Sequence, residues 1–181
     1  MPIDAVSKEQ LIYSFLNINR VFTKIFKRVI DIVLSLIGLV VFAPVFFFIF
    51  LVIKVFDGGD VFFVQSCLGQ FGKPFYIYKF RTMHSKLSQK SAKSGFTRVN
   101  DERITRFGKW LRRSHFDELP QLWNILKGEM SIVGPRPEAI AFGRRMMKEI
   151  SLYEIRYLMR PGLTGHAQIL QGYAMDTVED K

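Results

Sequence analysis

Residues 32–53 read IVLSLIGLVVFAPVFFFIFLVI, a run of 22 residues without a charge. An apolar run of this length is sufficient for a helix to cross a bilayer. Pro44 lies in its middle, where the missing amide and the ring of a proline kink or break a helix. The run therefore predicts either a kinked membrane span or a re-entrant helix that enters and leaves through one face.

The flanks of this run bear on the choice without deciding it. Kinked spans are common, which favours a span. Asp31 and Lys54 bound the run, so each arm beside Pro44 has about 11 residues and a length of about 17 Å, roughly half the hydrocarbon thickness. Basic residues stand before the run and after it, and the positive-inside tendency would favour both ends on the cytoplasmic side. On the residues alone, both topologies stay open.

Charge is concentrated downstream of the apolar run. The 181-residue chain has a formal net charge of +10. The first 60 residues contribute +1 (6 Lys/Arg against 5 Asp/Glu), and the other 121 contribute +9 (20 against 11). Such a balance suits an anionic partner, which could be nucleic acid, a lipid headgroup surface or a phosphorylated substrate. The single cysteine, Cys67, excludes a disulfide framework within the chain, and the three histidines lack zinc-type spacing.

The pattern predicts a mostly helical α+β chain in three parts: a lead-in over 1–20, membrane-associated helix over 21–56 and a globular domain over 57–181. Apolar spacing from residue 21 predicts an amphipathic helix that lies on the membrane before entering it. Two strands, 61–65 and 74–80, are expected to form a hairpin. The other expected elements are helices over 104–114, 118–128 and 138–159, a short buried strand at 130–134, and loops over 84–98 and from 160 onward.

An acid pair, Asp117-Glu118, interrupts the basic stretch between Arg103 and Arg136. Asp117 is predicted at the N-cap of the helix over 118–128 and follows Arg112 and Arg113, and both features favour an ionised carboxylate. Such a carboxylate could be a metal ligand, a general base or a nucleophile. The alternative is purely local, with Asp117 as a helix cap and Glu118 compensating the helix dipole.

Cations near the acid pair favour a phosphate-handling site. Arg136 stands between Pro135 and Pro137, which restrict its backbone. Arg81, at the end of the strand 74–80, is a second candidate phosphate contact. Helix N-termini and arginines bind anions, and Mg²⁺ takes carboxylate and phosphate oxygens together, so the pattern is compatible with a magnesium-dependent phosphate site.

Several blocks in this order resemble one protein family. They are the segment from Lys27 to Gln65, FYIYKFRTM (75–83), RITRFGKWLRRSHFDELPQLWNILKGEMSIVGPRPE (103–138) and RPGLTGHAQI (160–169). The chain resembles the bacterial sugar transferases, or monotopic phosphoglycosyl transferases. The resemblance implies transfer of a sugar 1-phosphate from a UDP-sugar to a polyprenol (undecaprenyl) phosphate, with release of UMP. It also implies a re-entrant helix broken at Pro44, at the bacterial inner membrane, with the catalytic domain on the cytoplasmic face.

The resemblance also implies roles for individual residues. Asp117 resembles the nucleophile that forms a covalent phosphosugar intermediate, and Glu118 resembles the Mg²⁺ ligand. Arg112 resembles a phosphate contact. The loop of Pro135, Arg136, Pro137 and Glu138 resembles an element on the nucleotide side of the site. The product would begin the assembly of a glycoconjugate such as O-antigen, capsule, exopolysaccharide or a glycoprotein glycan.

A non-catalytic protein is the competing interpretation. A membrane-tethered basic module that binds anionic lipid or nucleic acid would explain the charge and the apolar run. It would not explain the Asp117-Glu118 pair, GPRPE (134–138) or RPGLTG (160–165). The resemblance implies as partners the UDP-sugar donor, the polyprenol phosphate acceptor and membrane lipid, without nucleic acid. The identity of the sugar depends on pocket geometry that no linear motif reports.

Overall fold

A computed structural model describes residues 21–84, 101, 103–165 and 168. The helices are α1 (Val21–Val41), α2 (Ala43–Val52), α3 (Arg106–Ser114), α4 (Gln121–Lys127) and α5 (Ile140–Glu149). The strands are β1 (Phe62–Leu68), β2 (Pro74–Phe80), β3 (Ser131–Val133), β4 (Glu138–Ala139) and β5 (Gly162–Thr164). One antiparallel sheet has the order β2-β1-β4, and β3 pairs with β5 in parallel. The expectation of a mostly helical α+β chain is confirmed for this part of the chain.

The apolar run forms a bent helix pair, which we define as α1 with α2 and its π-helical extension Ile53–Asp57. The axes of the two arms are bent by 57° at Phe42, two residues before Pro44. Pro44 lies in the first turn of the second helix, where a proline is readily accommodated, so the new helix begins at the break. The expected amphipathic lead-in from residue 21 is continuous with the first arm. No single helix among the described residues is both long and apolar enough to cross a bilayer, although the bent pair together is.

One side of the bent helix pair packs on the rest of the chain. Ser35 on the first arm and Ile49 on the second are fully buried, whereas Val40 is 73% exposed and Phe47 is 64% exposed. The residues of the pair that contact the globular part recur at helical spacing: Arg28, Asp31, Gly38, Phe42, Phe46 and Ile49. The opposite side is a long apolar surface, larger than a monomeric soluble protein usually exposes.

Polar side chains attach the first arm to the globular part. The buried carboxylate of Asp31 accepts hydrogen bonds through Oδ1 from the Ile132 amide (3.0 Å) and from Ser131 Oγ (3.1 Å). Arg28 donates to the carbonyls of Ile125 (2.5 Å) and Leu126 (2.7 Å), which are among the last carbonyls of α4. Carbonyls in the last turn of a helix have few partners within it, and Arg28 adds charge-assisted hydrogen bonds there, including one to the Ile125 carbonyl that also accepts from the Gly128 amide (3.0 Å).

Two apolar clusters lie between the bent helix pair and the hairpin. One joins the hairpin to α4 through Cys67, Phe75, Ile77, Leu122, Ile125 and Met130. The other joins the second arm to β2 and α3 through Ile49, Ile53, Val61, Phe80 and Leu111. Both arms therefore pack on the same globular part. The predicted hairpin is confirmed, with β1 longer than expected and paired with β2 from Phe62–Phe80 to Leu68–Pro74.

Several features predicted downstream are wrong. The helix expected over 138–159 ends at Glu149. Leu152 then adopts a left-handed conformation (φ 64°) and a short 3-10 helix, Tyr153–Leu158, follows. The first two residues of that expected helix instead form part of the sheet as β4. The loop expected from residue 160 contains β5, and the strand expected to be buried leaves Val133 56% exposed. The lead-in over 1–20 and residues 85–98 of the expected loop lie outside the described residues.

Candidate active site

Asp117 and Glu118 lie on a single 3-10 turn, Phe116–Glu118, between α3 and α4. His115 ends α3 in a left-handed conformation (φ 60°), which reverses the chain and turns the acid pair toward β2. Phe116 packs against Trp110 (5.6 Å between ring centroids) and Phe42 (6.3 Å), so the turn also contacts the bend of the helix pair. The predicted N-cap role of Asp117 is wrong, because Pro120 occupies that position of α4.

Glu118 is buried and paired with cations. Its Oε1 lies 2.8 Å from Lys79 Nζ and 3.5 Å from Arg136 Nη2. Arg136 was expected near the acid pair, and the geometry brings the two together. Lys79 was missed from the sequence, although the pattern of β2 contains a signal. Phe75 and Ile77 are buried and share a face with Lys79, and a lysine on the buried face of a strand needs a charged partner.

The two carboxyl groups have different electrostatic environments. Burial raises the pKa of Asp117, and the nearby charges of Lys79 and Arg112 do not offset it. Burial acts in the same direction on Glu118, but Lys79 and Arg136 outweigh it and hold the pKa of that carboxyl below its usual range. The expectation that the surroundings of Asp117 favour its ionised form is thus wrong for the protein alone. A pair of carboxyls separated in this way is typical of sites that assign them different tasks.

The remaining predicted arginines differ in their placement. Arg112 is half-buried, and its Nε donates to Thr82 Oγ1 at 2.8 Å, which orients the guanidinium near Asp117. Arg81 is buried and donates to the carbonyl of Gly58, just after the second arm of the bent helix pair. Arg112 is therefore held beside the acid pair, whereas Arg81 helps to hold the segment that links the bent helix pair to the hairpin. A phosphate contact for either arginine stays a prediction.

The GPRPE and RPGLTG segments form one structural unit. The Gly134 amide donates to Thr164 O (2.9 Å), and the Gly162 amide donates to Pro135 O (2.8 Å). A Cβ at Gly162 would lie 2.1 Å from the Gly134 nitrogen, so only glycine allows this approach of the two backbones. The unit fixes the start of the 135–138 loop and so the direction in which Arg136 reaches the acid pair.

The chemistry of the acid pair is compatible with magnesium. The described residues contain no cluster of three or more His, Cys, Asp or Glu side chains of the kind that forms an all-protein metal cage. Mg²⁺ commonly needs no such cage, since it is held by one or two carboxylates together with substrate phosphates and water. Asp117 and Glu118 supply such a donor set. Lys79 and Arg136 both pair with Oε1 of Glu118 and neither with Oε2, which is the oxygen that a metal ion could use.

An apolar groove adjoins the site on the side of the second arm. Its volume is about 500 Å³, and its lining is almost entirely apolar. Phe46 and Phe80 contact each other in its wall at 5.2 Å between ring centroids, and Phe80 follows Lys79 along β2. The other lining residues are Leu39, Ala43, Phe47, Phe50 and Phe62.

Comparison with known proteins identifies the family of the chain. Residues 22–181 match the family model described as bacterial sugar transferase. The chain belongs to the bacterial sugar transferase family. The resemblance drawn from the sequence blocks is thereby confirmed for nearly all of the chain.

Individual members of the sugar transferase family are similar over about four fifths of the chain. A UDP-N-acetylgalactosamine-undecaprenyl-phosphate N-acetylgalactosaminephosphotransferase of Aeromonas hydrophila is 41% identical over 83% of the chain and 35% of its own length. A UDP-glucose:undecaprenyl-phosphate glucose-1-phosphate transferase of Escherichia coli K12 is 42% identical over 81% of the chain and 31% of its own length. The exopolysaccharide production protein PSS of Rhizobium leguminosarum bv. phaseoli is 45% identical over 80% of the chain and 74% of its own length. The chain thus spans about a third of the first two relatives.

Replacing Lys79 tests the electrostatic account of the site. Lys79→Met leaves the buried Glu118 carboxylate with one recorded cation, and we expect the free energy of unfolding to fall by about 2 kcal/mol at pH 7. Because the folded-state pKa of Glu118 lies below the ordinary 4.5, the pair stabilises the fold above that pH and loses its effect as the pH falls further. The loss in the variant should therefore shrink in acid. Urea unfolding in detergent micelles, with EDTA present, measures both the loss of unfolding free energy at pH 7 and its decrease in acid.

Lys127→Met is the matched control for this substitution. Lys127 pairs with Glu129 at 2.9 Å, but both side chains are considerably exposed, so the same change should cost less than about 1 kcal/mol. An equal loss for the two variants, or a Lys79→Met loss that is the same at pH 4 and pH 7, would contradict the account.

Proposed function

We propose that this chain is a phosphoglycosyl transferase that moves a sugar 1-phosphate from a UDP-sugar to undecaprenyl phosphate and releases UMP. The observation that carries the proposal is the Asp117-Glu118 turn, buried among cations and in contact with the bend of an apolar helix pair. A water-soluble diphosphate donor needs the cations, and a lipid-linked acceptor needs a site at the membrane. The names of the relatives point to the same reaction class.

Asp117 is the proposed nucleophile. Its carboxylate oxygen attacks the sugar-bearing phosphorus of the UDP-sugar, the bond from that phosphorus to the UMP oxygen breaks, and UMP leaves with the electron pair. A phosphate oxygen of undecaprenyl phosphate then attacks the same phosphorus and releases the Asp117 carboxylate. The acceptor phosphate is largely ionised near neutral pH, so a general base would add little, whereas a covalent step lets one site serve the two substrates in turn.

The cations of the site screen the approach of anions. Lys79, Arg112 and Arg136 surround the acid pair and would stabilise the negative charge of the diphosphate during attack. Glu118 is the proposed principal Mg²⁺ ligand. The metal would supply further screening of the diphosphate and of the departing UMP. A metal ion held there would also oppose the burial that raises the pKa of Asp117, which the protein's own cations do not offset.

We further propose that the bent helix pair is re-entrant at the bacterial inner membrane. Both arms pack on the same globular part, which supports an entry and an exit on one side. A 57° bend shared equally tilts each arm by about 28° from the membrane plane. The ten residues from Ile32 to Val41 are about 15 Å long and would then reach a depth of about 7 Å. Such a depth is typical of helices in the headgroup and acyl boundary.

The apolar groove is the proposed site for the first isoprene units of the acceptor. Its walls come from the bent helix pair and the hairpin, and Ala43 in its lining follows Phe42, whose ring packs on Phe116 beside Asp117. A polyprenyl chain lying there would leave its phosphate near the acid pair. Because the PSS relative is named for exopolysaccharide production, we propose that the product begins a surface glycan of that general kind.

UMP release tests the proposed reaction. Purified protein in lipid is incubated with undecaprenyl phosphate, Mg²⁺ and a panel of donors that includes UDP-glucose and UDP-N-acetylgalactosamine. We expect release with at least one donor, its loss with EDTA, and a fall of at least about a thousandfold in Asp117→Asn, because a nucleophile cannot be replaced by an amide.

Asp60→Asn is the matched control for that experiment, since the exposed Asp60 undergoes the same chemical change outside the site. It should retain wild-type turnover. Release that persists in Asp117→Asn would eliminate Asp117 as the nucleophile. A folded wild-type protein that releases no UMP with any donor would favour the non-catalytic, membrane-tethered module.

Filling the groove tests the acceptor site. Ala43→Trp places a large side chain in the groove lining, and we expect the KM for undecaprenyl phosphate to rise about tenfold because apolar contact with the chain is lost. The KM for the UDP-sugar should stay unchanged. Val40→Trp, on the exposed side of the first arm, adds the same side chain outside the groove and should leave both constants as they are. Equal effects of the two variants on the acceptor KM would refute the assignment.

A further inference from the structure

A second charged cluster lies behind the 135–138 loop, on the side away from the acid pair. Glu138 is at its centre, with its Oε1 2.6 Å from Arg156 Nη1 and 2.5 Å from the Tyr153 hydroxyl. Its Oε2 accepts from the Tyr157 hydroxyl at 3.0 Å. Both oxygens of this carboxylate are therefore engaged by side chains of the short 3-10 helix Tyr153–Leu158.

The cluster is arranged to keep its hydrogen bonds. Burial and the hydrogen bond to Glu138 raise the pKa of Tyr153 to about 12, and the same two causes raise the pKa of Tyr157. Both hydroxyls therefore remain protonated donors near neutral pH. A Cβ at Gly143 of α5 would lie 2.3 Å from the Tyr157 hydroxyl, so the absence of a side chain at that position makes room for it.

Arg156 connects the cluster to the loop backbone. While its Nη1 pairs with Glu138, its Nη2 donates to the Arg136 carbonyl at 3.1 Å. The guanidinium also lies over the Tyr153 ring, at 4.9 Å from the centroid. One rigid, planar group thus holds the backbone of Arg136 and the carboxylate two residues later, a task that the point charge of a lysine cannot reproduce.

The Arg136 side chain extends from this fixed backbone toward the acid pair. Its Nη2 lies 3.5 Å from Glu118 Oε1. Pro135 and Pro137 restrict the backbone on both sides of Arg136, and the Gly134–Gly162 contact fixes the start of the loop. The prolines limit the shape of the loop, but its position relative to the domain needs attachments, and Arg156 provides two of them.

We propose that Arg156 is a positioning residue that acts through Glu138 and the Arg136 carbonyl to aim the Arg136 guanidinium at the acid pair. Glu138 then serves the loop rather than the substrate directly. The sequence motif at 134–138 accordingly depends on a second segment, 153–157, that the sequence patterns did not connect with it. The kinetic part of the inference rests on the proposed function, whereas the structural part does not.

Hydrogen exchange tests the positioning role without turnover. In Arg156→Lys, peptides that cover residues 134–140 should exchange about tenfold faster, the size of effect expected when one charge-assisted hydrogen bond is lost. Peptides that cover α3 should keep their wild-type rate. The matched control is Arg145→Lys, the same change at an exposed arginine of α5 that pairs with Glu149. We expect no change in that variant.

Two outcomes of the exchange experiment would overturn the inference. Unchanged exchange over 134–140 in Arg156→Lys would show that the loop does not depend on the guanidinium. A uniform increase over the whole protein would show a general role in folding. Tyr157→Phe, which removes only the hydroxyl at Glu138 Oε2, should raise exchange over 134–140 in the same direction and by less.

A double-mutant cycle tests the kinetic role. We expect Arg156→Lys to raise the KM for the UDP-sugar about tenfold and to leave the KM for undecaprenyl phosphate unchanged. In an Arg136→Ala background, the same substitution should add less than about twofold, because the group it positions is absent. Full additivity of the two substitutions would overturn the inference. A wild-type protein that is inactive with every donor would instead refute the proposed function. The hydrogen-exchange experiment would then still test the positioning role, because it does not depend on turnover.

Discussion

The buried Asp31 carboxylate joins the first arm of the bent helix pair to β3, and the arrangement of the site depends on this attachment. Arg28 reinforces it one turn earlier by satisfying carbonyls at the end of α4. These contacts hold the arm beside α4, while apolar packing of Ile49 holds the second arm beside β2. The bend itself contacts Phe116, the residue before Asp117. The directions of the two apolar arms and the position of the acid pair are therefore set by one arrangement of contacts.

The site itself is organised around buried charge. Glu118 is buried and Glu138 is half-buried, and each carboxylate is paired with cationic side chains from other elements: Glu118 with Lys79 and Arg136, and Glu138 with Arg156. The cost of burying such groups is large unless they are paired and hydrogen-bonded, so each carboxylate fixes the elements that supply its partners. Glu118 fixes β2 against the turn Phe116–Glu118, and Glu138 fixes the 135–138 loop against the 3-10 helix Tyr153–Leu158. No ion pair of this kind joins Asp117 to another of the described residues, and burial raises the pKa of Asp117.

Sequence patterns predicted the features that depend on local chemistry. The break near Pro44, the hairpin, α3 and the proximity of Arg136 to the acid pair follow from proline geometry, residue alternation and charge. The patterns missed features that depend on tertiary contacts, such as the ion pair of Lys79 with Glu118 and the hydrogen bond from Arg156 to the Arg136 carbonyl, 20 residues away in the sequence. The helix expected over 138–159 failed for a similar reason, since pairing of Glu138 with Leu68 and the left-handed turn at Leu152 overrode helical spacing.

We propose that one rigid unit holds both ends of the apolar helix pair on the cytoplasmic face. Single cysteines at the exposed positions Lys24 and Asp60, which lie on either side of the uncharged run 32–53, test this topology with an impermeant maleimide in intact and lysed spheroplasts. The native Cys67 should not react with the maleimide, because it is buried and burial raises the pKa of its thiol to about 11. The account predicts that both positions react only after lysis. Reaction of one position in intact spheroplasts and of the other only after lysis would contradict it and establish a transmembrane span.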